Sequence, residues 1–245
     1  MNKIVFFSTI KGVAEVNPIQ ESSKFKFSWV ESLREDYKKE IAANFGKNIN
    51  LYKCPGIFDL MSEGFIVPMP WDLMIEPGPD GIDFRWGVPI IHPIDNVVSG
   101  HYPVNSVAHL PTKPNSLKTL IKALTPWHVL APPGLKFLII PIPYPDSFEF
   151  ESVHGILDPA ISTELNCQIR WNDTTKKGII KAGTPMMQII PITDKQYEFI
   201  VRDQTTEDAE FLEKLRYIQH MSFAPKRGII RNAYNKFVSF GKKIL

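Results

Sequence analysis

Proline constrains this chain more than any other residue. Of its 21 prolines, all but Pro18 and Pro225 lie between Pro55 and Pro191. Proline has no backbone donor and a fixed φ, so it is confined to turns, strand starts and sheet edges. That density excludes long helices from the middle of the chain and predicts short strands joined by stiff loops. Ile66-Val67, residues 72–75 and residues 82–86 fit the pattern, with Pro77-Gly78-Pro79-Asp80-Gly81 as an intervening turn. Residues 92–116 are polar and without a period, and read as a long irregular connection. The opening Met1–Phe7 segment has too short an apolar run for a signal peptide and is predicted to be a first strand.

Helical spacing is confined to the two ends. Ser28-Trp29-Val30-Glu31 has capping-box spacing, and Trp29, Leu33, Tyr37 and Ile41 follow at helical intervals. A helix over 29–43 is expected. A second follows Thr205-Thr206, where Glu207 and Asp208 suit a helix N-terminus and Phe211, Leu212, Leu215 and Ile218 form its stripe. The division this implies is a β-rich unit over 1–204 and a helical, basic tail over 205–245.

With 44% hydrophobic and 22% charged residues, the composition is that of a globular protein, and a net charge of +2 argues against a nucleic-acid partner. No apolar run reaches the roughly 18–20 residues of a membrane span, so a soluble protein of cytoplasmic type is expected. Cys54 and Cys167 form no zinc or redox spacing. Cys167 alternates with Leu165, Ile169 and Trp171 and reads as a small buried hydrophobe, while Cys54 precedes Pro55 at a helix start.

Residues 127–192 carry a further pattern. A strand ends in Ala131-Pro132-Pro133-Gly134, and a second reaches Pro141-Ile142-Pro143. Gly155-Ile156-Leu157-Asp158, an alternating strand over 165–172 and a closing strand ending in Gln188-Ile189-Ile190-Pro191 follow. This order is similar to the core of deoxyuridine triphosphatases and deoxycytidine triphosphate deaminases, the β-clip fold. Gly155, Asp158, Glu164, Gly183 and Gln188 stand at matching positions. The resemblance implies a β-clip-like or distorted β-sandwich core, which together with the helical spacing at the two ends gives a mainly β (α+β overall) fold with an N-terminal helix and a C-terminal helical tail. It also implies Asp158 as a catalytic general base. The family's Arg-Ser phosphate clamp is Ile142-Pro143 here, its tyrosine is Ile161 and one glycine is Thr163, so the resemblance speaks for the fold more than for the activity. The segments 52–59, 125–129 and 155–159 also resemble an uncharacterised family of large tailed bacteriophages, which implies an origin and no mechanism.

Each candidate has a plainer alternative. Asp158 either activates water or caps the turn that Asp158-Pro159 begins. Gln188 reads a ligand's edge or bonds across its ladder. Arg170, with Arg85 or Lys181, could supply phosphate contacts if these converge on Asp158. His92, Asp95, His101 and His109 are the only cluster of metal-ligating types, but their spacing fits no common site and no metal is assigned. No cofactor motif and no nucleophile motif is present. The tail sets Ile229, Ile230, Tyr234, Phe237 and Phe240 beside six basic residues over 226–245. So large an apolar set is expected to pack on its own chain or a neighbouring subunit, or to dock a protein partner. The leading expectation is a self-associating, non-catalytic accessory or binding protein; the alternative is a nucleotide-processing hydrolase with a phosphate site rebuilt around Asp158.

Overall fold

Prolines and turns cut the middle of the chain into strands no longer than the seven residues of Pro185–Pro191. The structure is a computed structural model and describes residues 3–43, 51–89, 97–101, 109–220 and 227–240. Among these residues lie fifteen strands and five α-helices in a mainly β, α+β arrangement of four sheets.

The first sheet is built around β1 (Lys3–Ser8), which runs parallel to β15 (Glu198–Asp203) and antiparallel to β8 (Trp127–Leu130). Ile4 and Phe6 enter the main core, whereas Val5 and Phe7 enter a second one. A strand buried on both faces needs a continuous apolar run, and Ile-Val-Phe-Phe supplies it.

The second sheet has the order β11 (Gly155–Leu157), β9 (Phe137–Ile140), β14 (Pro185–Pro191), β3 (Phe65–Pro68), β2 (Gln20–Glu21). The third runs β10 (Phe150–Ser152), β12 (Cys167–Trp171), β7 (Leu120–Ala123), β6 (Val98–His101), and the fourth β13 (Gly178–Ile180), β4 (Leu73–Pro77), β5 (Phe84–Gly87). All four feed the main core, through residues such as Phe6, Val67, Phe137, Ile121, Ile169, Leu73 and Ile180. The alternation of 165–171 holds: Leu165, Cys167, Ile169 and Trp171 are buried, and Gln168 is exposed. Burial pushes the Cys167 thiol up to about 12, as suits an inert core residue.

Several expectations need correction. The 92–116 connection contains β6, which pairs antiparallel with β7, a strand not anticipated either; Val97 and Val98 are buried and give this segment its apolar anchor. Strand β9 stops at Ile140 instead of reaching 143, because Pro141 and Pro143 bracket the next residues and Ile142 turns into a third apolar cluster with Phe27, Met61 and Ile66. Helix α2 (Ser28–Ala42) forms where expected, but the Ser28–Glu31 box does not cap it. Phe27 is the N-cap residue, and Asp146 caps from across the chain, accepting the Ser28 N–H at 3.2 Å and the Ser28 hydroxyl at 2.8 Å. Helix α1 (Val13–Val16) is a single turn; α3 (Pro55–Ser62) starts with Cys54 as N-cap and proline in its first turn, as anticipated.

Helix α4 (Thr206–His220) opens with a reciprocal cap: the Thr205 hydroxyl accepts from the Asp208 N–H, and the Asp208 carboxylate accepts from the Thr205 N–H. Asp208 is fully buried and is also held by Arg202. With α5 (Arg227–Phe240), α4 covers the outer face of the first sheet. Phe211, Leu215, Ile230, Tyr234 and Val238 pack there against Val5, Phe7 and Leu130. Ile230, Tyr234 and Val238 of the tail are thus buried on its own chain, with Phe237 partly covered and Ile229 exposed. No helix among the described residues is long and apolar enough to cross a membrane.

Candidate functional site

The turn that follows β11 decides what Asp158 can do. Its carbonyl accepts the Ile161 and Ser162 N–H groups at 2.8 and 3.1 Å, and its Oδ1 accepts the Ala160 N–H at 3.1 Å. Asp158 Oδ2 lies 2.8 Å from an Arg231 terminal nitrogen on α5. Both carboxylate oxygens are therefore engaged, one in a turn and one in a tail contact.

The other anticipated residues sit apart from it. Arg170 donates to the Pro111 carbonyl at 2.9 Å and lies 3.9 Å from Glu151, the residue opposite it on β10. Lys181 pairs with Asp72 at 2.8 Å. Arg85 is exposed on β5. Gln188 is fully buried at the centre of β14; its Nε2 donates to the Leu60 and Glu63 carbonyls at 2.8 and 2.5 Å, tying the end of α3 to the sheet. His101 lies on β6 opposite Leu120. His92 and Asp95 lie outside the described residues, and no group of three or more metal-ligating side chains is found among the described ones.

A cleft of about 260 Å³ opens instead beside β11. Strand β11 pairs with β9 on one side only, and its other edge has no backbone partner among the described residues. Gly155, Ile156 and Leu157 of this strand line the cleft with Ser152 and His154 from the preceding segment. The opposite wall comes from the third sheet. Gln168 on β12 and Lys122 on β7 are direct cross-strand neighbours on its outer face, and both reach the cleft. Neither side chain has a hydrogen-bond or ion-pair partner among the described residues. Glu164, which accepts from the Asn166 amide at 2.6 Å, closes one end, and Ile139, Leu157 and Met187 line the remainder. An unpaired ammonium, an unpaired amide and a free strand edge offer one cation and a row of backbone donors and acceptors, with the Glu164 carboxylate as the one negative charge lining the cleft among the described residues.

Sequence reasoning missed Lys122, because the strand around it is only four residues long, Leu-Ile-Lys-Ala, and shows no apolar–polar alternation. The alternation of 165–171 did place Gln168 on the outer face. No protein-family model, no curated protein and no solved structure matches this chain.

Proposed function

We propose that the chain is a non-catalytic binding protein, an accessory protein of phage type with a β-clip-like core, that holds a small anionic ligand in the cleft between β11 and β12. The observation that carries this reading is the facing of the free β11 edge and the unpartnered Lys122–Gln168 pair. A planar ligand with an amide-like edge satisfies the strand edge, and its negative charge satisfies Lys122. Nucleotides are the first class to test, since they carry both features. Self-association belongs to the same proposal.

A second reading, a nucleotide-processing hydrolase with Asp158 as base, draws support from the position of Gly155–Leu157, which line the cleft immediately ahead of that residue. It requires Asp158 to exchange Arg231 for a water. Calorimetry with deoxynucleoside mono- and triphosphates, followed by a pyrophosphate assay, separates the two. Binding lost in Lys122→Met with no pyrophosphate release is the expected result. Release that disappears in Asp158→Asn would establish the hydrolase instead, and absence of binding by any nucleotide would remove this ligand class.

A further inference from the structure

A second cleft, of about 470 Å³, lies where α4 meets the body of the protein. One wall is the turn carrying Ile161, Ser162, Thr163 and Glu164, and the other is α4 with Ala209, Leu212, Glu213, Leu215 and Arg216. His128 of β8 lies between them. Its Nδ1 is 2.9 Å from the Thr163 hydroxyl, and its ring stacks on Phe7 with centroids 5.2 Å apart. Only its Nε2 is left for anything entering the cleft. Desolvation is the main cause that lowers the imidazole to about 4, so at neutral pH it offers a hydrogen bond and no charge.

The charges of the cleft are therefore those of Glu164, Glu213 and Arg216. Glu213 and Arg216 are exposed, one turn apart on α4, and neither has an ion-pair partner among the described residues. Glu164 has only the Asn166 amide. Asp208 faces His128 electrostatically but is already consumed by Arg202 and Thr205. A plain anion would gain Arg216 and meet two carboxylates, while a plain cation would meet Arg216. A molecule with both an ammonium and a carboxylate answers all three, with its carboxylate on the guanidinium fork and its ammonium toward the glutamates. Ile161, Ala209, Leu212 and Leu215 add an apolar wall that a side chain can cover.

We infer that this cleft binds a free amino acid with an aliphatic side chain, bridging α4 to the body of the protein. A ligand shared between two elements stabilises their docking by mass action, so binding is visible as a raised melting temperature. The test uses the full chain with L-leucine, N-acetyl-L-leucine and L-leucinamide, read by calorimetry and thermal melting. L-leucine should bind saturably and raise the melting temperature, and both blocked analogues should fail to do so. Arg216→Ala and Glu213→Gln lie on the exposed face of α4, where folding tolerates them, and each should weaken L-leucine by about tenfold or more. Leucinamide or acetyl-leucine binding as well as leucine would overturn the inference. So would binding unchanged in Arg216→Ala, or no binding of leucine at all.

Discussion

Helices α2 and α5 have similar lengths and similar amphipathic spacing, and the protein uses them in opposite ways. Helix α5 buries Ile230, Tyr234 and Val238 and sets Phe237 face to face with Phe211 of α4 at 4.0 Å. The Tyr234 hydroxyl reaches into the body, donating to the Ala131 carbonyl and accepting the Ala131 N–H, each at 2.7 Å. Helix α2 buries no residue at all. It is held at its edges by the Asp146 cap, by the Trp29 Nε1–H donated to the Tyr144 carbonyl at 2.9 Å, and by aromatic contacts such as Tyr37 with Tyr52 at 5.3 Å. An apolar stripe in sequence thus says that a helix forms and which face is apolar. Whether that face is covered depends on what the rest of the chain brings to it.

The sharpest test of this contrast is a truncation in each helix. Tyr234→Ala should destabilise by about 3–5 kcal/mol, as a large aromatic lost from a closed core together with its hydroxyl contacts. Trp29→Ala should lose about 1 kcal/mol, the scale of one partly exposed hydrogen bond and its ring contacts. Chemical denaturation of both variants measures the difference, and equal losses would mean that α2 is a core element after all.

Acid should separate the two regions as well. His128, beneath α4, has a folded-state value near 4 against an ordinary 6.5. A depressed value means that the stability is present above 6.5 and is lost as the pH falls through about 4. The melting temperature should decline over that window with an amide-exchange signature concentrated in α4 and α5. His128→Gln should flatten the decline, and a profile unchanged by that substitution would dissociate His128 from it.

Smaller effects are expected from the polar contacts. Asp146→Ala removes the long-range cap of α2 and should cost about 1 kcal/mol, whereas Glu31→Ala, at the position of the unformed capping box, should cost much less. The Asp158–Arg231 pair, half-exposed on the arginine side, should show a coupling of roughly 0.2–1 kcal/mol in a double-mutant cycle and lose it in high salt. A coupling well above that range would promote this contact from a surface bridge to a principal latch of the tail.

While the strand around Ile189 was read from its place in the order of residues 127–192, the strand around Trp171 was legible from its alternation and the strand around Ile75 from the proline-glycine turn that follows it, both local signals. The helix after Thr205 was legible for the same reason, since cap and acidic first turn lie within four residues. What stayed hidden depended on partners far away in the chain. Strand β7 is recognisable only beside β12 and β6, and the cap of α2 comes from Asp146. Lys122 and β11 come to line one cleft only once two sheets have been brought together. At Asp158, the local grammar of an Asp-Pro turn was visible, but the arginine that occupies its second oxygen lies on the last described helix.

The parallel pairing of β1 with β15 also sets a timetable. Lys3 finds its partner in Glu198 and Ser8 in Asp203, so one edge of β1 has to wait until residues 198–203 have been made. At ribosomal rates of about 5–20 residues per second, that wait is on the order of ten to forty seconds. Strand β8 arrives earlier and covers the other edge. Until β15 emerges, Ile-Val-Phe-Phe is a short apolar segment with an open hydrogen-bonding edge, the kind of sequence that pairs with copies of itself. The nascent protein is therefore exposed to aggregation from the synthesis of β1 until that of β15, and shielding of its first strand by a chaperone over that interval should raise the yield.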